Sequence, residues 1–185
     1  AAAASAPAWI VFFSNAWKAL IMPFWSNGQI WVHSIPYRPA FDALTAAFYF
    51  IGVTSLMIRT ARKREFQVIA LLVSIPILLL PSILSIAFPA ENPSLNRTGA
   101  AAISMTIAAA YGFYELWLKL IATLRHQVRA LAVAAAVMIL ALTQIYAVNR
   151  DLVFNTWQRN YTANAWNTKQ IGEVIRGFDQ SIGDQ

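Results

Sequence analysis

Charge is what this sequence has least of. Only 12% of its 185 residues are Asp, Glu, Lys or Arg, about half the share of a soluble domain. Cysteine is absent, which excludes disulfides, thiolate metal ligands and a cysteine nucleophile. Histidine occurs twice, at His33 and His126. Zinc-ligand spacings, a phosphate-binding P-loop and a Gly-x-Gly-x-x-Gly turn are all missing. So are Ser-x-x-Lys and Gly-x-Ser-x-Gly. No metal or other cofactor is therefore expected, and none of these catalytic classes is represented by a complete set.

What is present is apolar. Hydrophobic residues make up 58% of the chain, and the mean hydropathy is +0.52. An all-α, multi-pass membrane protein is the fold class this implies. Four runs are long and apolar enough to cross a bilayer: 41–58, 66–88, 99–118 and 130–148. The chain divides accordingly into an extracytoplasmic or interfacial segment (1–39), a four-helix transmembrane region (40–148) and an extracytoplasmic tail (149–185). Ala1–Ala4 carries no functional weight.

The basic residues flank the apolar runs rather than lining one polar face, which excludes nucleic acid as a partner. Arg59, Arg62, Lys63 and Arg64 stand between the first two runs. Lys119, Arg125 and Arg129 stand between the last two. These two short segments hold seven basic and two acidic residues; everything else holds seven basic and six acidic. Cytoplasmic loops carry the Lys and Arg excess. Both chain ends and the 89–99 loop are thereby expected on the outer face of the membrane.

Within the runs, several residues predict packing. Pro76 and Pro81 each remove a backbone donor, so a kink or break is expected late in the second run. The third run is rich in small residues, among them Ala101, Ser104, Ala108, Ala109 and Gly112. Small residues let membrane helices approach closely, which predicts a central position. Glu115 is expected to pair with Lys119 one turn on.

Trp9, Phe13, Trp17, Leu20 and Phe24 recur at helical spacing near the start. Two arrangements fit them: a helix lying in the interface with its tryptophans at headgroup depth, or a helix packed in an extracytoplasmic domain. The segment 26–39 reads as irregular, with Asn27-Gly28 as a turn signal and His33 as a loop hydrogen-bonder. In the tail, Ile171, Val174, Ile175, Phe178 and Ile182 predict a short amphipathic helix packed on something else, with Asn167 and Gln170 as its cap.

The most polar stretch between apolar runs is Pro-Ala-Glu-Asn-Pro-Ser-Leu-Asn-Arg-Thr-Gly, residues 89–99. It offers Glu91, Asn92, Asn96 and Arg97 to a polar ligand at the membrane surface. A solvated turn between two helices is the competing reading. Arg38, Arg97 and Arg150 all lie near run ends, where an arginine either balances the headgroup region or holds a lipid phosphate bidentately. The outer-face carboxylates are Asp42, Glu91, Asp151, Glu173, Asp179 and Asp184, and none stands in a recognisable catalytic constellation.

Three stretches occur together: Trp-Val-His-Ser-Ile-Pro-Tyr-Arg-Pro-Ala-Phe-Asp-Ala-Leu-Thr from Trp31, Leu-Pro-Ser-Ile-Leu-Ser from Leu80, and Glu-Asn-Pro-Ser-Leu-Asn-Arg-Thr-Gly-Ala from Glu91. Together they resemble the C-terminal membrane half of bacterial family 39 glycosyltransferases of the GT-C class, relatives of protein O-mannosyltransferases and of the lipid A aminoarabinose transferase. The resemblance covers residues 17–102 and the general plan of the tail. It implies transfer of a sugar from a polyprenyl-phosphate carrier to an acceptor at the outer face. It also places Arg97 and its neighbours, Glu91, Asn92 and Asn96, near the carrier phosphate; Arg38, at the entry to the first run, is the further candidate for a lipid phosphate. The family's acidic base lies in a first outer loop with no counterpart here, so the resemblance implies that this chain is part of a longer protein. The rival expectation is a non-catalytic four-span accessory subunit of a larger membrane complex, packing against partner helices, lipids or pigments.

Overall fold

The computed structural model describes residues 6–165 and 168–182. All regular structure among them is helical. Helix α1 is Ala8–Ile21, α2 is Ala43–Lys63, α3 is Phe66–Ile83, and α4 is Gly99–Leu124. Helix α5, Val128–Asp151, continues through a π-helical segment Leu152–Trp157 into α6, Gln158–Asn164. Helix α7 is Thr168–Ile182. Helices α2, α3 and α4, together with the continuous Val128–Asn164 helix, are long and apolar enough to span a membrane. The chain is thus an all-α, multi-pass membrane protein.

The expected small-residue helix is central. Helix α4 packs against α2, α3 and α5. Ala101, Ser104, Met105, Ala108, Ala109 and Gly112 are its buried residues. Its closest neighbour is α2, and two glycines set the distance. A Cβ at Gly52 would lie 1.8 Å from the Ala108 carbonyl oxygen, and one at Gly112 would lie 2.0 Å from that of Phe48. Backbone meets backbone there. Against α3 the apolar contact includes one polar pair: Ser74 donates to the Ser104 hydroxyl at 2.8 Å.

The helix ends depart from the sequence expectations in several places. Arg59, Arg62 and Lys63 lie on the last turns of α2 rather than in a loop, leaving Arg64 and Glu65 as the turn. Arg64 takes the left-handed conformation that ends the helix, at φ 50°. Helix α3 runs through Pro76 and stops two residues past Pro81, at Ile83 instead of residue 88. The expected pairing of Glu115 with Lys119 is replaced: Tyr111 donates to Glu115 at 2.6 Å, and Arg59 donates to the Tyr111 hydroxyl at 3.3 Å. Arg59 also pairs with Glu65 at 2.5 Å.

Helix α1 has one packed face and one exposed face, and its partner is the membrane-length helix α3 rather than an extracytoplasmic domain. Val11, Asn15 and Ala19 are buried, and the helix packs on α3. Trp9, Phe13 and Trp17 stay about two-thirds exposed. On α7, Val174, Ile175 and Phe178 are exposed as well. The cap expected at Asn167 lies outside the described residues.

Two poles result. The 22–42 segment, the 84–98 segment and the end of α5 gather at one end of the bundle. The α2–α3 and α4–α5 turns lie at the other.

Candidate functional site

The loop pole is built on buried side chains. Ser82, near the end of α3, is fully buried. Its hydroxyl donates to the Asn92 side-chain oxygen and accepts from the Ser94 backbone N–H at 3.3 Å. The Asn92 amide nitrogen donates to the Asn15 carbonyl on α1 at 3.1 Å. The Asn15 side chain in turn donates to the Ile83 carbonyl at 3.2 Å. Residues from α1, α3 and the 89–99 loop are thus closed into one buried polar network. A buried donor or acceptor left without a partner costs about 1–3 kcal/mol, so this network fixes the loop from within. Asn15 Oδ1 is the member with no partner among the described residues.

The rest of the loop is tied in the same inward direction. Thr98, almost wholly buried, donates to the Ser94 carbonyl at 3.0 Å. Ser94 donates to the Asn96 side chain at 2.7 Å. The Asn96 amide nitrogen lies 3.2 Å from His33 Nε2, which accepts in the neutral tautomer. Arg97 donates to the Ser85 hydroxyl and to Glu91, both at 2.7 Å. That ion pair is about one-third exposed on the arginine side, so it adds at most about 1 kcal/mol. Gly28, at φ +90°, lies flat against the Pro93 carbonyl; a Cβ there would stand 2.3 Å from its oxygen.

Two open cavities flank this loop, each of about 330 Å³. Lys18, Trp25, Gln29 and Tyr37 line the first, with Asn92 and Pro93 in its wall. His33, Arg38, Leu95, Asn149 and Trp157 line the second. The Trp157 indole N–H is buried without a partner among the described residues. Its ring lies 5.2 Å from Tyr161, which lies 6.1 Å from Trp31.

The sequence-selected residues therefore take different places. Asn92 is buried and fully engaged. Glu91 and Arg97 hold each other. Asn96 is exposed beside His33. Arg38 lines the second cavity, in whose wall Arg97 takes no part. Arg38 makes no ion pair within 4 Å among the described residues. Sequence reasoning did not single out Lys18, Gln29, Tyr37, Asn149 or Trp157. They reach the cavities from three separate stretches of chain, and no local spacing marks them.

Asp42, Glu91 and Asp151 each have hydrogen-bond partners. Asp42 caps α2, accepting from the backbone of Leu44 and Thr45 at 3.1 and 3.0 Å and from the Thr45 hydroxyl at 2.6 Å. Asn149 donates to it at 2.9 Å. Burial pushes the Asp42 carboxyl up, but the hydrogen bonds from Thr45, Asn149 and Leu44 together outweigh burial and hold it below its ordinary value. Asp151 accepts from Asn155 at 2.8 Å. Glu173 and Asp179 lie on α7, and Asp184 lies outside the described residues. No group of three His, Asp or Glu that could hold a metal ion occurs among the described residues. The second cavity thus brings a guanidinium, side-chain amides, an imidazole and an indole to the end of apolar helices. Such a set binds an anionic group and a polar ring; it does not by itself transfer protons.

No family model, curated protein or solved structure matches the chain.

Proposed function

We propose that this chain is the C-terminal part of an integral-membrane glycosyltransferase, moving a sugar from a polyprenyl-phosphate carrier to a lipid or other acceptor at the outer face of the bacterial inner membrane. The observation that carries the reading is the second cavity. Arg38, without an ion pair among the described residues, stands there beside His33, Asn149 and Trp157. The cavity lies at the membrane end of α2 and α5, where the headgroup of a lipid-borne sugar would arrive.

In this reading the guanidinium of Arg38 takes the carrier phosphate, and the indole offers a flat amphipathic face to the sugar. Arg97 sits in the pre-fixed loop next door with its charge directed by Ser85 and Glu91. As the sugar leaves, charge accumulates on the phosphate, and fixed cations nearby favour that change without reorganising. The acid–base step belongs to the family's first outer loop, beyond the stretches that carry the resemblance.

The test is binding and turnover in the full-length protein in vesicles. Arg38→Ala is expected to weaken polyprenyl-phosphate binding about tenfold or more, the size of a lost hydrogen bond to a charged group. Arg97→Ala is expected to slow transfer more than it weakens binding. Unchanged affinity and turnover in both variants would remove the reading.

A second reading, a non-catalytic accessory subunit of a larger membrane complex, is favoured by one observation. The apolar stripe Val174, Ile175 and Phe178 of α7 is exposed. A subunit of that kind would co-purify with a stable partner, and Val174→Asp with Phe178→Asp would release it.

A further inference from the structure

The opposite pole of the bundle holds a second kind of cavity. It measures about 400 Å³ and lies between the ends of α2 and α4. Arg59, Arg62, Lys63, Tyr111, Glu115 and Lys119 stand in its wall. Its acidic surroundings are already engaged. Glu65 pairs with Arg59, and Glu115 accepts from Tyr111. Arg62, Lys63 and Lys119 make no ion pair within 4 Å among the described residues. Arg59 Nε is buried with no hydrogen-bond partner among the described residues. Three cations without an ion pair among the described residues therefore stand around one opening, with the Arg59 guanidinium in the same wall.

Beyond the cations the wall turns apolar at Ile58, 48% exposed. Met57 and Leu118, adjacent in sequence to wall residues Ile58 and Lys119, are 59 and 41% exposed. They belong to helices apolar enough to span the membrane. A small soluble anion would use the cations and leave this flank bare. A phospholipid uses both, with its phosphate on the basic side and its acyl chains along the helices.

We infer that this cavity is a binding site for the phosphate headgroup of an anionic membrane lipid. Basic pockets between membrane helices hold such headgroups because the charge is concentrated where the phosphate lies. The Arg59–Tyr111–Glu115 chain is the back wall: Glu115 accepts from Tyr111, whose hydroxyl accepts from Arg59 and orients it, and the other three cations outnumber that one carboxylate at the opening. Arg62, Lys63 and Lys119 are the adaptable front. The site is independent of the proposed transferase, because it lies at the other pole and shares no residue with it.

The experiment uses the full-length protein in detergent micelles doped with phosphatidylglycerol or phosphatidylcholine, with retained lipid counted by native mass spectrometry. Phosphatidylglycerol is expected to be retained in preference to phosphatidylcholine. The Arg62→Gln, Lys63→Gln, Lys119→Gln variant is expected to lose at least about tenfold in that retention, each basic residue near the surface contributing roughly fivefold. These side chains are exposed, so the fold is kept. An Arg125→Gln, Arg129→Gln variant removes charge from the same pole outside the cavity and is expected to change little. Equal loss in both variants would overturn the site in favour of diffuse surface charge. Equal retention of the two lipids would overturn it outright. Displacement of phosphatidylglycerol by millimolar inorganic phosphate would assign the cavity to a soluble anion instead.

Discussion

Asn92 shows how the same residue reads differently from sequence and from structure. In the sequence it stands among polar neighbours between two prolines, and a ligand-facing role follows. In the fold it is 5% exposed, with its amide shared between Ser82 and Asn15. The reason is distant: α1 docks on α3 and brings the Asn15 carbonyl over from 77 positions away. Nothing local to the loop announces that contact. His33 is the opposite case, since its role as a loop hydrogen-bonder was legible and the Asn96 contact fulfils it. Asp42 yields a prediction at this scale. Its side chain caps α2, and its carboxyl sits below the ordinary value of 3.8. A folded value below the unfolded one means that the unfolded chain binds the proton more readily. The stabilisation is complete above the unfolded value and fades as pH falls through 3.8 towards the folded one. Asp42→Ala is expected to cost about 1 kcal/mol at neutral pH, the usual size of a lost helix cap. Thermal unfolding in detergent at pH 7 and pH 3 checks it: the deficit relative to the native protein should shrink at the lower pH.

At the scale of elements, small residues predicted the central helix and the contact between α2 and α4 supplies the reason. Periodicity could mark α4 as rich in alanine and glycine, but it could not name Gly52 as the partner of Gly112. The two lie 60 positions apart and meet only when the helices cross. Gly52→Ala and Gly112→Ala are each expected to lower stability by about 3 kcal/mol or more, since the new methyl meets main chain and the helices must part. Gly172 on α7 has open space around its Cβ position. Gly172→Ala is expected to raise helicity and stability by about 0.5–1 kcal/mol. Unfolding midpoints of the three variants, compared side by side, separate close packing from helix propensity. The kink or break expected from the prolines late in the second run corresponds to the helix end at Ile83, two residues past Pro81, while the helix continues through Pro76. Pro76 is carried within a helix flanked by α1, α2 and α4, and Pro81 coincides with the last turn.

For the whole molecule, four apolar runs became four membrane-length helices, and charge predicts a sidedness. The extent of the last helix was not legible. Asn149, Arg150 and Asp151 read as an exit into solvent, yet the helix continues to Asn164, 37 residues in all. At 1.5 Å per residue it reaches about 55 Å, against roughly 30 Å of bilayer hydrocarbon. The surplus is what carries Trp157 over the loop pole to complete the second cavity. Sidedness can be read directly, because a chain without cysteine reports a single introduced thiol cleanly. Asn96→Cys and Ala61→Cys are both at exposed positions. A membrane-impermeant maleimide is expected to label the first in intact cells and the second only after permeabilisation. The reverse pattern would turn the molecule over and place the basic cavity outside.

The crossing of α2 and α4 also sets how this sequence can vary. Any coding change at a glycine codon is silent, introduces a stop or adds a side chain, and at Gly52 and Gly112 there is no room for one. Elsewhere in a packed interior a larger residue can be accommodated by trimming its neighbour. Here the atoms in the way are the carbonyl oxygens of Ala108 and Phe48, which every amino acid carries. No second-site replacement on the facing helix can therefore suppress the first. In a saturation library these two columns should admit glycine alone, whatever else the selected chains have drifted to.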